Sequence, residues 1–166
     1  MIIEGKIDIA APIQEVWDFV MDMEAFASCV PGLDEIAPLD DRTFDGVIGA
    51  KVGPMSGKFR FRASITEIVP PTDMKVRVEG MDDMTRSAIN AWVTLNLTPS
   101  DPAGTKMTHH FDAEIKGRIA IVGDMILRGV AGVMLKEFSR RLRRCLERAE
   151  AGRDDAEEKQ GDGRAI

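Results

Sequence analysis

Residues 49–63 read GAKVGPMSGKFRFRA, and this stretch indicates the type of fold. Phe59 and Phe61 would face one side of an extended strand, because successive side chains of a strand point to opposite faces. Arg60 and Arg62 would face the other side. The Gly-Pro step before them predicts a turn, since proline cannot donate a hydrogen bond to a strand ladder. The stretch therefore predicts two strands joined by a turn, with one apolar and one basic face.

The same alternation continues on both sides of this stretch. Strands are predicted at residues 3–9, 34–39, 42–52, 55–69, 73–81, 86–98 and 105–116. The breaks between the last six are short and rich in Asp, Gly and Pro, which is typical of antiparallel hairpins. The sequence thus predicts an antiparallel sheet built mainly from consecutive hairpins.

Helices are predicted before and after the run of six strands. Pro12 opens the first helix, because a proline in the first helical turn lacks only an N–H that would have no partner there. A second short helix is predicted near residues 23–28. A long helix closes the domain, with apolar residues at steps of mostly three or four from Ile119 to Leu146. This order predicts an α+β fold with helices on one side of the sheet.

Length and composition indicate one globular domain. The chain has 166 residues, of which 44% are hydrophobic, and this is enough for one core. The domain is predicted to span residues 1–150. Residues 151–166 are predicted to form a polar, disordered tail, because they show no apolar period. The net charge of −6 argues against general binding to nucleic acid.

The sequence predicts a cytoplasmic location. Charges interrupt its first residues early, unlike a signal peptide, and no window reaches the roughly 18 apolar residues of a membrane helix. Cys29 and Cys145 lie far apart in the sequence and belong to no Cys-x-x-Cys pair or metal-ligand cluster. They are therefore expected to be two separate, reduced thiols.

Five short motifs, in their order and spacing, are similar to those of a known family. They are APIQEVWDFVMD (11–22), CVPG (29–32), KVGP (51–54), VTLNLTP (93–99) and GRIA (117–120). Through them the chain resembles the carbon monoxide dehydrogenase G-subunit (CoxG) family, within the helix-grip superfamily of START and birch-pollen-allergen-like (SRPBCC) proteins. The resemblance implies a curved seven-stranded antiparallel sheet wrapped around a long C-terminal helix, with two short helices after the first strand.

The resemblance also implies a function. Such proteins are usually accessory factors or binders of small hydrophobic molecules, and CoxG-like proteins are linked with molybdenum-containing carbon monoxide dehydrogenases. The implied role is a non-catalytic adaptor that brings such an enzyme to the inner face of the cell membrane, or carries a quinone or lipid. Apart from a bound quinone or lipid, no cofactor is implied.

The candidate ligand-binding residues lie on the inward side of the predicted sheet, on the CVPG loop and on the last helix. They are Val30, Leu33, Phe59, Phe61, Ala63, Val76, Val78, Ala91, Val93, Met107, His109, Phe111, Met125, Ile126, Val130 and Met134. A concave, apolar surface with few polar groups is typical of a ligand pocket. The same residues would also suit an ordinary core, and the sequence leaves both interpretations open.

His109 is the polar residue among these candidates. Its parity places it inward with Met107 and Phe111, whereas His110 would face outward. A neutral imidazole can donate one hydrogen bond and accept another. His109 is therefore expected either to make a structural hydrogen bond or to donate to a carbonyl of a quinone or lipid.

Glycines interrupt the predicted last helix. Gly123, Gly129 and Gly132 each cost roughly 1 kcal/mol relative to alanine inside a helix. They would either allow close packing of the helix on the sheet or leave room for a ligand. Met125 and Met134 would suit the second case, because methionine side chains are flexible and polarisable.

Basic side chains are the candidates for docking to a partner or a membrane. On the outward side of the sheet they are Lys58, Arg60, Arg62 and Arg77, with the aromatic Trp92. An outward tryptophan is a common anchor at interfaces. Residues 136–148 of the last helix add a second basic face, for which membrane contact is the lesser expectation. A solvated surface is the alternative for both faces.

The sequence contains no recognisable catalytic motif. It lacks a Gly-x-Ser-x-Gly element, a phosphate-binding loop and a dinucleotide turn, and its two histidines do not form a metal-site pattern. The chain is therefore predicted not to be an enzyme. One alternative is a polyketide cyclase or dehydratase-like enzyme, which would need inward polar groups such as His109, Thr85 or Ser87. Another is a structural assembly factor with a solid interior.

Overall fold

The computed structural model describes the backbone of residues 1–161 and the side chains of residues 1–148, together with residue 152. The first elements are strand β1 (Ile2–Ile9) and helices α1 (Ile13–Met21) and α2 (Met23–Cys29). The next six are strands β2 (Leu33–Pro38), β3 (Thr43–Val52), β4 (Met55–Val69), β5 (Asp73–Asp82), β6 (Ser87–Ser100) and β7 (Gly104–Lys116). A short 3-10 helix (Arg118–Val122) and helix α3 (Asp124–Gly161) follow.

The strands form one antiparallel sheet in the order β1-β7-β6-β5-β4-β3-β2. From β2 to β7 each strand pairs with the next one along the chain, and β1 closes the row by pairing with β7. The predicted antiparallel sheet, its two short preceding helices and its long closing helix are confirmed. The predicted strand limits agree with the observed ones to within two residues.

Glycines on neighbouring strands make room for the aromatic residue of the opening motif. Phe61 on β4 pairs with Gly46 on β3 and with Gly80 on β5. A Cβ atom added to Gly46 would lie 2.5 Å from Cζ of Phe61, well inside van der Waals contact. The Phe61 ring therefore lies over the bare backbone of its neighbour, and it makes an edge-to-face contact with Phe44 at 6.5 Å.

The tightly packed core occupies one end of the concave face. Here the sheet contributes a row of paired residues, Leu97, Met107 and Ile7, each about 1% exposed. Helix α1 adds Val16 and Trp17, and the middle of α3 adds Leu142 and Leu146. We call this cluster the packed end; its buried members are Ile7, Ile9, Ala11, Val16, Trp17, Met74, Leu97, Met107, Leu142 and Leu146.

The N-terminal half of α3 packs much less closely. Met125 is 86% exposed and Val133 is 69% exposed, although both are large and apolar. Across from this half of the helix, the sheet presents Phe59, Phe61 and Val78, which are only partly buried. Burial of apolar area is the main favourable term in folding, so an apolar sheet face and an apolar helix that both stay partly exposed mark an unfilled space.

Helix α3 begins later and ends later than the sequence pattern indicates. The pattern places its start near Ile119, but a 3-10 helix occupies residues 118–122 and Gly123, with a φ of 93°, separates it from α3. The backbone N–H of Ile119 donates to Ser87 Oγ at 3.0 Å and so ties this segment to the sheet.

At its other end, α3 continues to Gly161, through most of the segment that the sequence analysis assigns to a disordered tail. The reason is local, because Ala, Glu, Lys, Arg and Gln dominate residues 150–160 and all have high helix propensity. Residues 162–166 of the predicted tail lie outside the described residues.

Candidate ligand-binding clefts beside helix α3

Two clefts lie beside α3, the first along residues 126–134 and the second along residues 132–147. The first cleft lies between α3, strand β3 and the CVPG loop, and its volume is about 560 Å³. It is lined by Pro31, Gly32, Gly49, Ala50, Lys51, Ile126, Gly129, Val130, Val133 and Met134. Most of these side chains are apolar or absent, so this cleft offers a ligand almost no directional polar contact.

The second cleft lies on the other side of α3, against strands β1 and β7, with a volume of about 610 Å³. It is lined by Glu4, Gly5, Lys6, His109, Gly132, Leu135, Lys136, Ser139, Arg140, Arg143, Arg144 and Glu147. Five of these residues are basic and two are acidic, which leaves a formal excess of three positive charges. The local charge is thus opposite in sign to the net charge of −6 on the whole chain.

The predicted sheet residues lie on the concave face, but they differ in burial. Ala63 and Ala91 are buried at 3% and 5% exposure, because they pack within the sheet around Val78. Six larger apolar residues are only partly buried, namely Phe59, Phe61, Val76, Val78, Val93 and Phe111. These six form an apolar wall that α3 does not cover completely.

The remaining candidates fall into three groups. Ile126, Val130 and Met134 line the first cleft. Val30 and Leu33 flank the two loop residues that line this cleft, and both are partly buried. Met107 belongs to the packed end, where it is 1% exposed. Met125 lines neither cleft and points to solvent.

His109 is positioned by the strand next to it. It is 7% exposed, and the paired residue on β1 is Gly5. A Cβ atom on Gly5 would lie 2.6 Å from Nε2 of His109, so the imidazole occupies the space that a side chain there would need. The ring contacts Phe111 edge-to-face at 5.7 Å. Among the described residues, none forms a hydrogen bond with either ring nitrogen.

Burial sets the charge state of His109. Desolvation lowers the pKa of this imidazole below its ordinary value, because a buried site disfavours the charged form. At neutral pH the ring is therefore neutral, with one N–H to donate and one nitrogen to accept. His110 points outward, where Nδ1 lies 2.7 Å from a carboxylate oxygen of Glu4. The two adjacent histidines thus have opposite surroundings, as the strand parity predicts.

The lowered pKa of His109 predicts a loss of stability in mild acid. Because the unfolded chain binds a proton at this position more readily than the folded chain, stability falls as the pH drops below the ordinary histidine value of about 6.5. In the His109→Gln variant, this contribution of His109 to the pH dependence of stability should be absent. Urea denaturation of both proteins between about pH 7 and pH 5 measures it. Equal pH slopes for the two proteins would show that His109 is not desolvated.

The glycines of α3 face open space. A Cβ atom placed on Gly129 or Gly132 would meet no atom within 4 Å beyond its own chain neighbours and helix backbone. Close approach of helix and sheet therefore does not explain these two residues. Gly129 lines the first cleft and Gly132 lines the second, so each borders a cleft beside the helix.

Gly129→Ala is expected to stabilise the protein. The new methyl group meets open space, and alanine is better than glycine inside a helix by about 0.8–1.0 kcal/mol. The free energy of unfolding in urea should rise by about this amount. Gly46→Ala is the matched control with the opposite sign, because its methyl group would collide with the Phe61 ring. A destabilised Gly129→Ala variant would mean that the helix packs closely on the sheet.

Ion pairs on α3 modify the basic rim of the second cleft. Glu137 accepts hydrogen bonds from both Arg140 and Arg141, and these bonds are the main reason that its pKa falls to about 2. Arg143 donates from Nε to the backbone carbonyl of Asp8 at 2.9 Å. Within the described part of the chain, Lys136 and Arg144 have no acidic partner. These two cations remain available at the rim.

The basic residues predicted for docking on the convex face of the sheet are each paired with an acidic side chain. Lys58 pairs with Asp34 at 3.5 Å, and Arg60 pairs with Asp83 at 2.5 Å. Arg62 donates two hydrogen bonds to Asp45, at 2.8 and 3.0 Å. The predicted docking charges therefore belong to a set of exposed ion pairs within the chain.

Trp92 lies in the middle of this convex face. Its ring has the Lys75 ammonium 5.0 Å and the Arg77 guanidinium 5.5 Å from its centre. Arg77 also pairs with Glu79 at 2.8 Å. The indole is 37% exposed, so these cations cover much of it. Cation–π contacts of this kind explain how an outward tryptophan is accommodated without a partner.

Sequence reasoning missed the second cleft as a separate site. It identified His109 and the basic face of residues 136–148, but not Gly5, which makes room for the imidazole, nor that His109 and this basic face line one cleft. The alternation Ile3, Gly5, Ile7 contained a signal, since a glycine in an apolar strand position often marks a close approach of another group. Pairing of β1 with β7, which no local pattern specifies, decides which group approaches.

Comparison with known structures places the fold in the START-like class. A conserved protein from Geobacillus kaustophilus superposes with a TM-score of 0.83 at 23% identity, over 90% of this chain and 97% of that one. A START superfamily protein from Mycobacterium smegmatis gives a TM-score of 0.67 at 14% identity, over 89% and 98% of the two chains. These similarities establish the helix-grip fold.

The sequence itself defines the family. Residues 5–147 match the family described as the carbon monoxide dehydrogenase G-subunit (CoxG), so the chain belongs to the CoxG family and the predicted resemblance is confirmed. No curated protein matches the sequence. The family is one of accessory subunits, and together with the START-like fold it suggests a non-catalytic, ligand-binding accessory role.

Two further properties of the described residues bear on this role. No helix in that part of the chain is both long and apolar enough to cross a membrane. Nor does any group of three or more His, Cys, Asp and Glu side chains come together there in a way that could hold a metal ion.

Proposed function

We propose that this protein is a non-catalytic accessory factor that holds an apolar ligand, such as a quinone or a lipid, between helix α3 and the concave face of the sheet. The observation that carries the proposal is the unfilled space beside the N-terminal half of α3. Gly129 and Gly132 face open space, and the apolar wall around Phe61 and Val78 stays partly exposed. An apolar molecule in this space would remove both surfaces from water, and this burial is favourable.

His109 supplies the polar contact that such a ligand needs. It is buried, its pKa is lowered by desolvation, and no described residue hydrogen-bonds its ring. Its ring lines the second cleft, where a bound molecule would meet it. A neutral imidazole would donate to the carbonyl of a quinone or the ester of a lipid. The Lys136 and Arg144 side chains at the rim would favour an anionic or strongly polar head group.

The partner of this carrier is proposed from the family. The CoxG family takes its name from carbon monoxide dehydrogenase, and a quinone is a suitable electron acceptor for such a redox enzyme but is too apolar to diffuse freely in water. The carrier would therefore collect a quinone or lipid at the inner face of the membrane and deliver it to the enzyme. The convex face around Arg60, Arg62 and Trp92 is the surface proposed for docking.

The ligand itself is the direct test. The full chain, purified from its own host, is measured by native mass spectrometry, and the released small molecules are extracted and identified. We expect one apolar molecule per chain, which organic extraction removes and incubation with the same molecule restores. A protein that carries nothing and takes up neither short-chain quinones nor fatty acids would contradict the proposal.

The His109→Leu variant tests the polar contact separately. Leucine keeps the apolar surroundings but removes the donor, so affinity for a carbonyl-containing ligand should fall by about tenfold, the equivalent of one hydrogen bond. Affinity for a plain hydrocarbon should stay unchanged. His110→Leu is the matched control, because His110 lies on the outer face beside Glu4. Equal quinone affinities for wild type and His109→Leu would remove His109 from the site.

A further inference from the structure

The fold brings together the two cysteines that lie far apart in the sequence. Cys29 is the last residue of α2, and Cys145 lies in the C-terminal half of α3. Their Sγ atoms are 4.0 Å apart, although 116 positions separate them in the chain. Cys29 is fully buried, whereas Cys145 is exposed. Both thiols are free, but they are neighbours in the fold, because α2 packs against α3.

This thiol pair lies next to the rim of the first cleft. Cys29 begins the CVPG loop, and Pro31 and Gly32 of that loop line the cleft opposite Val130 of α3. The loop is held to the sheet by a hydrogen bond from the Gly49 N–H to the Gly32 carbonyl, at 2.9 Å. On its other side, α2 contacts α3 edge-to-face through Phe26 and Phe138, whose ring centres are 5.4 Å apart.

We propose that Cys29 and Cys145 form a reversible disulfide, and that this bond fastens the CVPG loop to helix α3 and restricts opening of the first cleft. A disulfide requires the sulfur atoms to approach to about 2.05 Å. From 4.0 Å this is a movement of about 2 Å, which side-chain rotation and a small shift of α2 can share. Intracellular disulfides that form transiently are typical of redox sensing.

The chemistry is thiol–disulfide exchange with a low-molecular-weight disulfide as the oxidant. The exposed Cys145 thiolate attacks one sulfur of that disulfide, and one small thiolate leaves. The Cys29 thiolate then attacks the sulfur of Cys145 and expels the second small thiolate. The protein loses two protons and two electrons in total. The oxidant gains the two electrons and leaves as two small thiols, so the balance is complete.

The surroundings of Cys29 decide the order of these steps. Burial raises the pKa of its thiol to about 11, and the thiolate is the attacking form. Cys29 is both hidden and protonated, so it cannot react with the oxidant first. It acts as the resolving thiol, and the second step should become faster with rising pH up to about 11.

Intact mass measurement tests whether the bond forms. The full chain is incubated with oxidised glutathione, remaining thiols are blocked with N-ethylmaleimide, and the protein is weighed and digested without reduction. We expect a mass lower by two hydrogen atoms, no maleimide adduct, and a peptide that joins residues 29 and 145. Dithiothreitol should restore two alkylatable thiols. A glutathione adduct that persists on Cys145, or two alkylated cysteines, would overturn the proposal.

Single substitutions test the order of the steps. Cys29→Ser should stop at the mixed disulfide and keep one glutathione on Cys145, whereas Cys145→Ser should remain unmodified. Cys29→Ala is a second variant that lacks the resolving thiol, and it does not place a hydroxyl group in a buried position. Glutathione on Cys29 in the Cys145→Ser variant would show that the buried thiol is accessible and would contradict the order of attack.

Amide hydrogen exchange tests the effect on the cleft rim. Oxidation should slow exchange at residues 30 and 32 by about tenfold or more, because a disulfide removes conformations in which the loop leaves α3. Exchange in the distant β5–β6 hairpin serves as the internal control and should not change. Unchanged exchange in the loop would overturn the proposed restriction of the cleft. The mass and hydrogen-exchange measurements use the protein without ligand. Their results therefore do not depend on the proposed carrier function.

Discussion

Gly132→Leu is expected to abolish most ligand binding while leaving the protein at least as stable as the wild type. Position 132 lines the second cleft and has open space where a side chain would start. A leucine there extends into the cleft next to His109 and competes with any molecule bound in it. Leucine is also a strong helix former, so the free energy of unfolding should rise by roughly 0.5–1 kcal/mol.

Affinity for a short-chain quinone, measured by calorimetry, should fall at least about tenfold in this variant, the equivalent of 1.4 kcal/mol. Gly152→Leu is the matched control, because Gly152 lies in the same helix and also faces open space but lines neither cleft. It should gain helix propensity without losing affinity. Unchanged affinity in a folded Gly132→Leu protein would show that the ligand does not occupy the second cleft.

Leu142→Ala is expected to cause the largest loss of stability among single substitutions in α3. Leu142 is fully buried in the packed end, where α3 meets the sheet and α1. Removing a buried leucine costs the transfer free energy of its atoms plus that of the cavity left behind, in total about 2–5 kcal/mol. Urea denaturation at neutral pH would measure this as a lower unfolding midpoint with an unchanged slope.

Val133→Ala is the appropriate comparison on the same helix. Val133 is 69% exposed, so its truncation should change stability by less than about 0.5 kcal/mol. The contrast tests the division of α3 into an open part around Val133 and an anchored part around Leu142. Similar losses for both variants would show that the helix is packed as firmly at Val133 as at Leu142.

The strands and their order could be predicted from sequence because local signals determine them. Alternation around Phe59 and Phe61 identified a strand with two distinct faces, and short polar breaks at positions such as 70–73 allowed only hairpins between neighbours. The same parity distinguished His109 from His110. The position where α3 begins could not be predicted this way, since the apolar period simply continues through the 3-10 helix and Gly123.

The burial of the candidate site residues could be predicted only in part. Inward parity selected Phe61 and Met107 alike, yet Met107 is fully buried in the packed end and Phe61 is partly exposed. The difference depends on which half of α3 covers each residue, and no local pattern determines that. For the same reason the sequence could not show that Cys29 and Cys145 meet, because their contact depends on the packing of α2 against α3.

The unequal packing of the concave face has a consequence for divergence among related proteins. Residues that stabilise the fold, such as Leu142, and residues proposed to contact a ligand, such as Phe61, occupy different regions. Substitutions in the second group can therefore accumulate at little thermodynamic cost, which frees ligand preference to change while the architecture persists. Differences among such relatives should then concentrate along the open half of α3 and the apolar wall opposite it.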